Sequence, residues 1–259
     1  LLHEDQIREI PFSIPINEKI SLYAVLIVKG QPLPKKSTSN KDYLQEIAET
    51  LRNNDYKGII LFLQGFSDDI DKVKQYTHPL ALAGYAVFCY DFRGVGKSRH
   101  LGRKNSFSVI VGDVRTAIDY LHSTFPILET PFNVVGISLG AMGALVSAFP
   151  DERVSKVVGV ATVADFKKNV ARYLVPFKGK WWIWLRYSFF GVTLYPDDTE
   201  NQLISPIYTI QKMKNNFPKG QSSTHQASEQ NDDNEWIKFT NSKLRLVHCT
   251  NDKIIFFHN

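Results

Sequence analysis

The sequence predicts an α/β fold with a mostly parallel central sheet and helices on both faces. Continuous apolar runs of strand length alternate along the chain with segments whose apolar residues recur at helical spacing. The apolar runs lack polar alternation, which is typical of parallel strands buried on both faces. Strands that alternate with helices in this way predict a sheet that is covered on both sides.

The elements can be taken in chain order. Residues 7–14 and 20–28 are predicted to be two strands joined by a turn, and Ser39 with Asp42 three residues later predicts the start of a short helix. The alternation follows, beginning and ending with a strand, in the runs 57–65, 68–84, 85–92, 107–125, 131–138, 139–149 and 154–164.

Beyond residue 165 the alternation stops. A helical or irregular stretch rich in aromatic residues follows, then residues 218–235 with almost no apolar side chains, which we interpret as a mobile surface loop. A run typical of a buried strand follows near Leu244. These changes divide the chain into a first part of the core, a cap insertion that includes the mobile loop, and a second part of the core, at 1–165, 166–235 and 236–259.

The composition is that of a globular protein and disfavours a nucleic-acid-binding function. Hydrophobic residues make up 43% and charged residues 22%, as in globular domains, and the net charge of +5 comes from Lys and Arg spread along the chain, which disfavours a nucleic-acid partner. Cys89 and Cys249 lie in apolar runs and are predicted to be free, buried thiols. Free thiols and the lack of a signal-peptide pattern at the start predict a cytoplasmic protein. We also expect no metal and no cofactor.

The run Gly136-Ile137-Ser138-Leu139-Gly140 fits the pattern G-x-S-x-G, with a strand before it and a helix of small residues after it. Such a turn lifts a serine hydroxyl above the edge of the sheet, and glycines two residues to either side avoid steric collision. We therefore predict that Ser138 is a catalytic nucleophile.

An acyl-transferring serine also needs N–H donors for the oxyanion that forms on the substrate. The backbone N–H of Leu139 follows the nucleophile directly. The second donor is expected from the loop after the first central strand, where Phe66 follows Gly65. We predict that Phe66 and Leu139 form the oxyanion hole.

The stretches LQGF, YDFRGVGKS and GISLG, with HCTNDKIIFFHN as a fourth, resemble the α/β-hydrolase superfamily in its branch of monoglyceride-lipase-like and serine-aminopeptidase-like esterases. The resemblance covers roughly residues 55–165 and 243–259. It implies a serine hydrolase that cleaves an ester, thioester or amide, with Asp252 as the acid of a catalytic triad. Such enzymes usually carry His-Gly where this chain has Gln64-Gly65, a departure that keeps the backbone donor but bears on how the loop is held.

The histidine of the triad is not identified. In this fold the order along the chain is Ser, acid, His, and His258 follows Asp252 by only six positions. The resemblance places the catalytic histidine after a further strand. We therefore expect the base, with a last strand and helix, beyond Asn259.

The run GVGKS at 94–98 invites comparison with a phosphate-binding loop. The full phosphate-loop pattern requires glycine at the position of Asp91, whose charge would repel a phosphate. We therefore predict no nucleotide site here.

The aromatic run Trp181–Phe190 is too short, and too often interrupted by Lys and Arg, to span a bilayer. Three interpretations remain open: a lid over an apolar acyl pocket, packing in the core, or peripheral contact with a membrane surface. In the lid interpretation Trp182, Leu185 and Phe189 share a helix face and line the pocket.

Two functions remain open. The first is a serine hydrolase acting on a small-molecule or lipid-like acyl substrate through an acyl-enzyme on Ser138. The second is a non-catalytic protein that uses the same fold for binding or scaffolding. The elbow at Ser138 and the acid Asp252 favour the enzyme, and neither function predicts an oligomeric state.

Overall fold

A seven-stranded sheet organises the computed structural model, in the order β1-β2-β4-β3-β5-β6-β7. The structure describes residues 6–30, 40–66, 68–102, 107–125, 131–173, 196–218 and 225–247. The strands are β1 (Ile7–Pro15), β2 (Ser21–Lys29), β3 (Ile59–Leu63), β4 (Ala86–Tyr90), β5 (Phe132–Ile137), β6 (Lys156–Val160) and β7 (Leu244–Val247).

Helices precede or follow these strands in the order that the sequence predicts. They are α1 (Asn40–Asn53), α2 (Ile70–Leu82), α3 (Phe107–Thr124), α4 (Leu139–Gly143), which continues as a π-helical turn over Ala144–Ala148, α5 (Phe166–Tyr173), α6 (Asp198–Ile204), α7 (Pro206–Asn215) and α8 (His225–Lys243). A 3₁₀ helix covers Gly96–Leu101.

The strands from β3 to β7 pair in parallel, while β1 and β2 form an antiparallel edge that joins β4. At the hairpin between β1 and β2 the side-chain oxygen of Asn17 accepts hydrogen bonds from the N–H groups of Lys19 and Ile20, both at 2.9 Å. The prediction of a mostly parallel sheet is therefore confirmed.

Apolar side chains are buried on both faces of the sheet. On β3, Leu61 and Leu63 belong to a core cluster shared with α3 and α4, whereas Ile60 and Phe62 belong to a second cluster shared with α2. This arrangement explains the uninterrupted apolar runs, because every position of such a strand faces a helix layer. The carboxyl ends of the parallel strands then meet at one edge, where polar residues follow them.

The prediction of a mobile loop at 218–235 is wrong for its second half, since α8 begins at His225. Trp236 is 8% exposed and packs against Phe217 and Phe239, with ring centroids 5.3 and 5.7 Å away. Lys214 pairs with Asp233 at 2.8 Å. These contacts anchor a helix whose polar first half lacks the apolar periodicity by which helices are predicted.

A buried polar cluster fixes the point where the insertion leaves β6. Asp165 accepts hydrogen bonds from Lys168 N at 3.1 Å and Asn201 Nδ2 at 3.2 Å. Ser205 donates to Asn201 Oδ1 at 2.8 Å and accepts from Phe166 N at 2.9 Å. Because each member has a partner, the cluster ties the start of α5 to α6 at little desolvation cost.

No helix within the described ranges is both long and apolar enough to cross a membrane.

Candidate active site

Ser138 lies between β5 and α4 and has a backbone conformation that is rare for a residue with a side chain, with φ 53° and ψ −111°. Its N–H donates to the carbonyl of Val160 at 2.8 Å, and its carbonyl accepts from Met142 N at 3.1 Å. The neighbouring strand and the following helix thus hold the strained residue in place. Strain of this kind is concentrated at functional positions.

Gly136 and Gly140 are required by close backbone approach. A Cβ atom on Gly136 would lie 2.5 Å from Ala141 N, and one on Gly140 would lie 2.7 Å from Gln64 O and closer still to the carbonyl of Leu63. Real Cβ atoms essentially never approach backbone atoms this closely. The sequence prediction that both positions exclude a side chain therefore has a direct structural cause.

The turn after β3 passes beside Ser138. A Cβ atom on Gly65 would lie 3.8 Å from Ser138 Cβ, and Asp68 N donates to Gly65 O at 3.2 Å, which closes the turn. Phe66 follows Gly65 in this turn, and Leu139 opens α4. Gly65 and Ser138 meet at this point. Phe66 and Leu139, which are predicted to form the oxyanion hole, are the residues that directly follow them.

The loop after β4 is organised by Asp91, which is 2% exposed. Its carboxylate accepts from Ile70 N at 2.9 Å and from Lys97 N at 2.7 Å, and Gly96 has φ +48° where the loop turns over it. Burial raises the pKa of Asp91, and these two donors oppose that rise. The aspartate that departs from the phosphate-loop pattern therefore accepts a hydrogen bond from a backbone N–H within the GVGKS run.

The same loop is joined to α3 by an ion pair that the sequence analysis did not identify. The guanidinium of Arg93 donates to both carboxylate oxygens of Asp113, each at 2.6 Å. Burial raises the pKa of Asp113, and the hydrogen bonds and charge of Arg93 oppose that rise. A bidentate, largely buried pair of this kind fixes the loop to the helix.

Three aromatic rings extend from the turn after β3 toward the insertion. The ring of Phe66 is partly buried and lies 6.0 Å from that of Phe107, which lies 4.6 Å from that of Phe166. We call these residues the aromatic row. Phe107 and Phe166 were not predicted from the sequence as site residues, although each is the first residue of a helix that follows a central strand.

Two polar side chains at this edge of the sheet are fully buried and lack hydrogen-bond partners among the described residues. Gln64 and Tyr90 are both 0% exposed. Neither the amide atoms of Gln64 nor the hydroxyl of Tyr90 has a hydrogen-bond partner among the residues that the structure describes. Gln64 directly precedes the turn beside Ser138, whereas Tyr90 ends β4, which β3 separates from β5.

Two histidines of the described ranges, His78 and His122, have contacts that place them away from Ser138. His78 Nε2 lies 3.0 Å from Glu9 Oε1, on β1. The His122 ring packs 4.7 Å from that of Phe132, at the opposite end of β5 from Ser138, and burial lowers its pKa. A six-residue strand is roughly 17 Å long, too far for proton transfer.

Several predicted site residues lie outside the described ranges. They are the proposed acid Asp252, the proposed lid residues Trp182, Leu185 and Phe189, and the second cysteine, Cys249. Cys89 is buried and free, as predicted. Among the residues that the structure describes there is no group of three or more His, Cys, Asp or Glu that could hold a metal ion.

The sequence matches the model of a protein family described as serine aminopeptidase, S33, over residues 54–250. That range covers the strands from β3 onward and the whole elbow around Ser138. No curated protein sequence matches the chain.

Solved structures of hydrolases superpose on the chain. The Pyrococcus furiosus esterase Pf2001 is 18% identical, with 95% of this chain and 72% of that chain covered and a TM-score of 0.52. The S-formylglutathione hydrolase from Agrobacterium tumefaciens is 14% identical, with 93% and 86% covered and a TM-score of 0.50. These two similarities show the fold.

A third match is shorter. The esterase domain of a Rhodothermus marinus protein is 23% identical, with 65% of this chain covered and a TM-score of 0.40. The chain spans 57% of the length of that domain.

Proposed function

The chain belongs to the serine aminopeptidase, S33, family of α/β-hydrolases, and on this basis we propose that it cleaves an ester, thioester or amide bond through an acyl-enzyme on Ser138. The single observation that carries this proposal is the strained backbone of Ser138 at a strand–helix junction. A serine held in this way presents its hydroxyl at the mouth of the site rather than to the core.

In the proposed reaction Ser138 Oγ attacks the carbonyl carbon of the substrate, and a base accepts the hydroxyl proton. The carbonyl oxygen becomes an oxyanion, which the N–H groups of Leu139 and Phe66 stabilise. The position of the turn beside Ser138 supports this assignment. Collapse of the intermediate releases the alcohol, thiol or amine, and water then attacks the acyl-enzyme to free the acid.

The remaining members of the triad are proposed on the family resemblance. Asp252 would orient the base and stabilise its charged form. The histidine would take the proton from Ser138 and return it to the leaving group. Residues 166–235 would form a cap over the site, with Trp182, Leu185 and Phe189 facing the substrate.

The aromatic row supports a substrate with an apolar acyl group. Phe66 is only partly buried and follows Gly65 beside Ser138, while Phe107 and Phe166 behind it are 4% and 9% exposed. An acyl chain attached to Ser138 would therefore meet an aromatic surface on this side. A small-molecule or lipid-like ester fits this surface better than a charged acyl group does.

Hydrolysis of a p-nitrophenyl ester series, from acetate to octanoate, tests the proposal. The purified full-length protein should release p-nitrophenol from these esters. In Phe107→Leu the row behind Phe66 loses volume, and kcat/KM should shift toward octanoate relative to acetate by about tenfold, the equivalent of about 1.4 kcal/mol.

Phe125→Leu is the matched control, because Phe125 is 3% exposed and packs with Phe12 and Phe88 in the same core cluster, away from the turn. It should lose comparable stability and keep the wild-type acyl preference. If Phe107→Leu and Phe125→Leu showed the same acyl-length preference, the aromatic row would not be part of the acyl site.

A further inference from the structure

The side chain of Gln64 is unusual for its position. It is 0% exposed, and its Nε2 and Oε1 atoms have no hydrogen-bond partner within the part of the chain that the structure describes. The next residue, Gly65, faces Ser138, and the carbonyl of Gln64 lies against Gly140 of the elbow. The backbone of Gln64 thus lies at the junction of the two segments that form the candidate oxyanion hole.

An amide buried without partners destabilises a fold, because it gives up hydrogen bonds to water and gains none in return. A methionine has nearly the same length and flexibility and would fill the space without that penalty. Buried polar groups in native proteins almost always have partners, so an exception beside a reactive site calls for a functional explanation.

The adjoining turn is closed by a hydrogen bond from Asp68 N to Gly65 O that is 3.2 Å long, at the upper end of the usual range. Phe66, the proposed second oxyanion donor, lies inside this turn. Gln64 directly precedes this turn, so its unused donor and acceptor belong to the residue next to the turn's backbone groups.

We propose that Gln64 is a positioning residue for the oxyanion hole: its amide bonds to the backbone of the Gly65–Asp68 turn when an oxyanion forms and so holds the N–H of Phe66 toward it. The proposal rests on the proposed function. It predicts that Gln64 acts on the transition state and not on the binding of the substrate.

Gln64→Met is the decisive variant. We expect its unfolding midpoint in urea to equal or exceed that of the wild type, because the sealed amide is gone. We expect kcat for a p-nitrophenyl ester to fall by about 10- to 100-fold with KM within about twofold, somewhat less than the loss of an oxyanion donor itself. Gln64→His, which keeps one donor and one acceptor, should recover at least half of the loss on a logarithmic scale.

Tyr90→Phe is the matched control. Tyr90 is also 0% exposed with a hydroxyl that has no partner in the described ranges, but it ends β4 and belongs neither to the turn after β3 nor to the elbow at Ser138. Its removal should likewise leave stability equal or higher, and kcat should remain at the wild-type value.

A wild-type kcat in Gln64→Met would overturn the positioning role while leaving the serine hydrolase intact. A clearly lower unfolding midpoint, or failure to fold, would also overturn it, because the amide would then have partners in the resting protein. Failure of the wild-type protein to hydrolyse any ester or react with a serine-directed probe would instead remove the proposed function, and this inference with it.

Discussion

Ser138→Ala is expected to lower kcat for ester hydrolysis by about 10⁴- to 10⁶-fold in the full-length protein. The hydroxyl oxygen is the only heavy atom lost, and without it no acyl-enzyme can form. Stability should change little, because the backbone bonds to Val160 and from Met142 do not involve the side chain. Initial rates with a p-nitrophenyl ester, at matched amounts of folded protein, measure the effect.

Ser147→Ala is the control for this variant. Ser147 lies on the same helical segment, is 3% exposed and donates to the carbonyl of Val111 at 2.7 Å. Its loss should destabilise the fold by about 1 kcal/mol and leave kcat unchanged. If Ser138→Ala retained a tenth or more of the wild-type rate, Ser138 would not be the nucleophile.

Gly140→Ala is expected to destabilise the protein by about 3 kcal/mol or more, at the upper end of the cost of overpacking. The added methyl group would lie 2.7 Å from Gln64 O and closer to the carbonyl of Leu63, and backbone carbonyls in a central strand cannot turn away. Urea unfolding, followed by circular dichroism, measures the change. The elbow should also be displaced, so that the activity of any folded fraction falls.

Gly112→Ala provides the comparison. Gly112 lies within α3, and a Cβ atom there would meet nothing within 4 Å. Alanine at this helical position should stabilise the protein by up to about 1 kcal/mol. Equal effects of the two substitutions would mean that the close approach of the elbow to β3 is not a feature of the folded protein.

The central sheet could be predicted because its strands carry their signal locally. Residues 59–63 and 86–90 are apolar at every position, and each is buried at every position. The elbow was predictable for a related reason, since the glycines that flank Ser138 are dictated by contacts that recur whenever a strand turns sharply into a helix.

Features that depend on distant partners were not predictable. The helix α8 is held by Trp236 and Phe239 against Phe217, and its polar first half resembles a loop in sequence. The pair of Arg93 with Asp113 joins residues 20 positions apart, and no local pattern marks it.

The sealed amide of Gln64 shows the same limit at the site. From the sequence Gln64 is only a departure from the His-Gly pair of similar enzymes. Its complete burial and its lack of partners within the described ranges depend on how β3 packs beside β5 and α4. The hypothesis that Gln64 contributes to catalysis therefore depends on its burial in the folded protein and could not be made from the sequence.

The most direct test of the central claim is covalent labelling of the full-length protein with a fluorophosphonate, followed by peptide mapping. Because the proposed base and oxyanion donors make Ser138 far more nucleophilic than an ordinary serine, we expect one adduct, on the peptide that contains Ser138, and none in Ser138→Ala. Absence of an adduct from the folded wild-type protein, or an adduct that persists in Ser138→Ala, would contradict the assignment of Ser138 as the nucleophile.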